Sequence, residues 1–149
     1  MDLNLTKEVR FFSGNEFKDI RHVAEGIVWP DKDANLDHWG RFSVYLISLS
    51  VVCLAFGHFV RGKPFDVRIS ELKSVLDLPV DDIREFLLMN SITVPLSVYL
   101  SADDFKEASS MLKDFMNAKP VESCSIVKSA RDFLDAFMAS YNIVLESES

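Results

Sequence analysis

Phe42 to Val60, FSVYLISLSVVCLAFGHFV, runs nineteen residues without a charged side chain, and Arg41 and Arg61 close it. At the rise of an α-helix this stretch is nearly long enough for the ~30 Å core of a bilayer. It reads either as a membrane span or as the buried central helix of a soluble fold. Ser43, Ser48, Ser50, Gly57 and His58 dilute it, and amphipathic segments elsewhere in the chain supply packing partners. The buried-helix reading is therefore preferred, and a membrane partner is not expected.

Upstream, Phe17, Ile20, Ala24 and Ile27 fall on one helical stripe. Glu16, Lys18, Asp19, Arg21 and Glu25 lie outside it, Ser13 or Asn15 is the expected cap, and Pro30 the expected stop. Asp37 is placed to cap the long helix, which Gly62 and Pro64 end. Downstream the spacing predicts two short helices around Asp77-Leu78-Pro79, then a β-leaning run near 92–100 that Pro95 confines to an edge. Ser101 with Asp104 resembles a capping box opening a helix through Phe105, Ala108, Leu112 and Phe115. A last helix is expected from Ser125, carrying Ile126, Ala130, Phe133, Phe137 and Tyr141, with residues 146–149 as a frayed tail. The expected fold is mainly α: one domain over 1–149, a helical bundle around a central apolar helix at about 42–60, with a small winged-helix-like β element near 92–100.

The chain is 48% apolar and carries twelve Phe, enough for a core. Its net charge of −7 is spread, with 6 basic and 8 acidic side chains in 1–60 and 10 and 15 in 61–149. Neither half reads as a basic face for a phosphate backbone, so nucleic acid is disfavoured. Cys53 and Cys124 read as free thiols, and the N-terminus lacks a basic region followed by an apolar run. Both features point to a cytoplasmic protein.

His22, His38 and His58 have no metal-site spacing, and the five glycines form no phosphate loop. Neither cysteine sits in a nucleophile motif. The carboxylate pairs Asp81-Asp82 and Asp103-Asp104 fit first-turn positions of helices. No catalytic, cofactor or metal constellation is expected, and the chain reads as non-enzymatic.

Residues 69–92 resemble a helix-turn-helix followed by a wing, which implies a transcriptional regulator, although the second helix offers Asp81, Asp82, Arg84 and Glu85 where a DNA reader needs cations. His38-Trp39-Gly40-Arg41, at the head of the apolar helix, resembles the BH1 segment of the Bcl-2 apoptosis regulators, with His38 where that segment usually has Asn. The resemblance implies that Arg41 pairs with an acidic residue of a bound helix. Only 38 residues precede Trp39, and no Gly-Trp second motif follows.

The leading expectation is an acidic inhibitor or immunity-type protein, or an adaptor, that sequesters a basic protein. Trp29 and Trp39 flank Asp31, Asp33 and Asp37, placing aromatic anchors beside negative charge, with Arg41 next to them. A chain this apolar is also compatible with a homodimer.

Overall fold

The computed structural model describes residues 2–30, 37–93, 100–141 and 143. Six helices make up the described chain: α1 (Glu16–Val28), α2 (His38–Val60), α3 (Ile69–Leu76), α4 (Val80–Thr93), α5 (Ala102–Asn117) and α6 (Pro120–Ser140). The fold is mainly helical and compact, with the other five helices packed on α2.

The apolar stretch dictates that arrangement. Residues 43, 44, 46–53 and 55–57 of α2 are buried all round the helix, not along one stripe, so it needs neighbours on every side. Helix α2 has the length and apolarity to cross a membrane, yet 72% of its most apolar window is covered by the rest of the protein. Two of its three buried serines are reconciled with burial locally, while Ser48 Oγ is buried without a hydrogen-bond partner. Ser43 Oγ donates to Trp39 O at 2.7 Å and Ser50 Oγ to Leu46 O at 2.8 Å, so neither hydroxyl is stranded.

Both ends of α2 follow from its sequence. The Asp37 carboxylate accepts Gly40 N–H at 2.7 Å. At the other end Gly62 turns left-handed (φ 74°), its N–H reaching Phe59 O while Lys63 N–H reaches His58 O. That is a Schellman closure, which glycine adopts without strain.

Three expectations need correction. Helix α1 has no side-chain cap from Asn15. Instead Glu16, expected on the exposed side, is fully buried, and its Oε1 accepts Ser13 N–H at 2.7 Å and Gly14 N–H at 3.2 Å. The carboxylate closes the turn and sits at the positive end of the helix dipole. Helix α6 begins at Pro120, not at Ser125, because proline suits the first helical position, where its missing N–H is no loss. The β element near 92–100 does not appear: α4 continues through Thr93, residues 94–99 lie outside the described ones, and no strand occurs among those described.

The N-terminal segment lies against the chain entering α3. Leu5 N–H bonds Val67 O, Ile69 N–H bonds Leu3 O, both at 2.8 Å, and Asn4 and Arg68 form an isolated antiparallel bridge. Asp2 caps α3 across this seam, accepting Ser70 N–H at 3.0 Å and its hydroxyl at 2.6 Å.

Candidate protein-interaction surface

Of the six residues singled out in the sequence, Asp31 and Asp33 lie outside the described residues. Trp29 ends α1, half-buried, with its N–H on Glu25 O. Asp37 spends its carboxylate on the cap of α2. Trp39 and Arg41 are exposed in the first turn of α2, whereas Gly40 between them is buried.

Around Trp39 the structure assembles residues that sequence reading passed over. His38 packs on Trp39 and Phe42 at 4.8 and 4.6 Å between ring centres, and Phe42 meets Tyr45 at 5.6 Å. These side chains form an aromatic stripe along the outer flank of α2. His38 Nε2 lies 3.3 Å from Glu122 Oε1, which brings the start of α6 beside the start of α2. Trp39 is 38% exposed there and Val121, next to Glu122, 81% exposed.

Tyr45 then walls an open hollow of about 330 Å³ with Asp103, Lys106, Glu107 and Asp114 of α5. Three carboxylates face one ammonium, and Glu107 also meets Arg21 of α1. Asp103 does more than complement the helix dipole, since it lines this hollow. The capping proper is done by Ser101 Oγ, which accepts Asp104 N–H at 3.2 Å, and Asp103 is exposed. The signal that could have exposed this stripe was the ring spacing 38, 39, 42 and 45, after which the helix carries no ring until Phe56.

The remaining polar clusters have evident structural partners. His58 Nε2 meets Glu71 Oε2 at 2.6 Å. It borders a hollow of about 300 Å³ that also holds the Asp66–Arg68 ion pair. Cys53 floors an apolar cavity of about 120 Å³ under Leu49, Leu87 and Phe105. Burial pushes its thiol up to about 12, which suppresses the thiolate a nucleophile needs. Among the described residues no group of three or more His, Cys, Asp or Glu could hold a metal ion.

Helices α3 and α4 do form a helix pair joined by the Asp77–Pro79 turn, but the cation of α4 faces inward. Arg84 Nη2 donates to Ala118 O at 3.1 Å and to Ser123 Oγ at 2.5 Å, tying α4 to the α5–α6 junction. Asp81, Asp82 and Glu85 are left on the exposed face. A phosphate backbone would meet repulsion there.

No family model matches this chain, and no curated protein or solved structure matches it significantly.

Proposed function

We propose that this chain is a non-enzymatic protein-binding module, of the acidic inhibitor or adaptor kind, that sequesters a basic protein. The carrying observation is the continuity of the aromatic stripe Trp39–Phe42–Tyr45 with the hollow holding Asp103, Glu107 and Asp114. Aromatic side chains supply large contact area at small entropic cost, and adjacent carboxylates steer a cationic surface toward them. Val121 extends the apolar contact across the start of α6. Affinity capture from native host lysate, at low and at high salt, tests this reading. One basic protein recovered in stoichiometric amount at low salt and lost at high salt supports it; recovery that ignores both salt and Trp39→Ala refutes it.

Arg41 favours a second reading. It is exposed and forms no ion pair among the described residues, as the BH1-like segment requires of a cation that meets an acidic residue on a helical peptide. Titration with pro-apoptotic BH3 peptides decides it: no affinity at high micromolar concentration removes the reading.

A further inference from the structure

The end of the molecule formed by the turn before α1 and the close of α2 departs from the acidic character of the rest. Phe12 sits on that turn with φ 61°, a left-handed conformation that bulky residues rarely adopt, and its side chain is 63% exposed. Its ring leans on Phe59 and Phe65 at 5.3 and 5.4 Å between centres, and Phe65 is itself stacked between Phe11 and Phe59. Val60, next to Phe59, is 49% exposed. The backbone holds an aromatic ring outward on a firm aromatic base.

Four cations occur in the two chain segments that carry these apolar groups. Lys7 precedes the turn, Lys18 lies in the first turn of α1, and Arg61 and Lys63 follow Val60. All four are exposed and form no ion pair within 4 Å among the described residues, although Lys18 adjoins Asp19 and Lys63 shares a hollow with Asp66 and Glu71; Arg10 is held by Asp19 and Arg68 by Asp66. Glu8 is the one exposed carboxylate in these two segments that lacks a cationic partner.

We propose that this basic, aromatic end docks on an anionic phospholipid surface, with Phe12 and Val60 entering the headgroup boundary and Lys7, Lys18, Arg61 and Lys63 meeting lipid phosphates. Outward apolar groups with exposed cations in the same segments suit a deformable interface. An acidic protein partner would instead need a shaped recess to receive the ring, and Phe12 stands out on a turn. Attraction is local, because the −7 of the whole chain is screened beyond about 10 Å at ordinary ionic strength. Each cation at the surface strengthens binding about fivefold.

Co-sedimentation with phosphatidylserine-containing phosphatidylcholine vesicles, against phosphatidylcholine alone, is the test. Wild type and Trp39→Ala should sediment equally with the anionic vesicles at about 0.1 M salt and stay soluble with the neutral ones. Phe12→Gly removes the ring while keeping a residue that adopts φ 61° freely, so it should fold, by circular dichroism, and lose vesicle binding at least fivefold. The double reversal Lys18→Glu and Lys63→Glu should abolish binding. Equal sedimentation with neutral vesicles, no sedimentation with either, or binding indifferent to Phe12→Gly and to the charge reversal overturns the proposal. So does retention on polyglutamate without vesicle binding.

Discussion

Glu71 and His58 join two helices through one carboxylate: Oε2 lies 2.6 Å from His58 Nε2, while Oε1 accepts Arg68 N–H at 3.0 Å. The first contact ties the end of α2 to α3, and the second closes the start of α3. Glu71→Ala removes both, and a loss of about 1.5–3 kcal/mol is expected, against about 0.5–1.5 kcal/mol for His58→Ala. The double variant should lose less than the sum, because the shared contact is counted once. Urea unfolding of the four proteins checks this, and additive losses would show that the two side chains act separately.

Arg131 of α6 closes the other end of α3. Its Nη2 donates to Leu78 O at 2.5 Å and its Nε donates to Leu76 O, satisfying the last carbonyl of the helix and one in the turn after it. Arg131→Ala should destabilise the protein by about 1.5–3 kcal/mol. Arg131→Lys should recover less than half of that, since one ammonium lacks the fork needed for both carbonyls. Denaturation midpoints give the comparison.

The two cysteines differ in reach. Cys124 is exposed on α6, and Cys53 is buried against α4 and α5 with its thiol raised to about 12. Iodoacetamide at neutral pH should label Cys124 within minutes and leave Cys53 unmodified until denaturant is added. Peptide mass spectrometry reads the result.

Gly62→Ala should lower stability by about 1 kcal/mol, because the new Cβ is strained at φ 74° even though it meets no neighbour within 4 Å. A thermal melt measures the loss.

That glycine, the Asp37 cap and the Ser101 cap were legible in the sequence because each acts within a few residues of itself. The buried central helix was legible from its length without charge. What escaped was tertiary. Glu16 read as a surface carboxylate, since nothing in its local spacing reveals that it folds back on Ser13 and Gly14. His58 and Glu71 are thirteen residues apart, and Arg131 reaches carbonyls more than fifty residues away. The start of α6 was misplaced because Ser125 is a good cap residue, whereas Pro120 already satisfies the first position. The basic end was hidden because its cations come from residues 7–18 and 61–63, and each segment is diluted by acids when the sequence is read in halves. Of the candidate site, Trp39 was visible, but Tyr45 and Asp103 meet only when α5 crosses α2.

The central claim is that a basic protein lies across the aromatic stripe and the hollow on α5. A photo-crosslinking phenylalanine analogue placed at Tyr45, and in parallel at Asp132 on the exposed side of α6, tests it in host lysate. A crosslink from position 45 to one basic protein is expected, absent from position 132 and abolished when Asp103 and Asp114 are reversed to Lys in a variant that still folds. Equal crosslinking from both positions, or a crosslink from position 45 that survives the charge reversal, would contradict it.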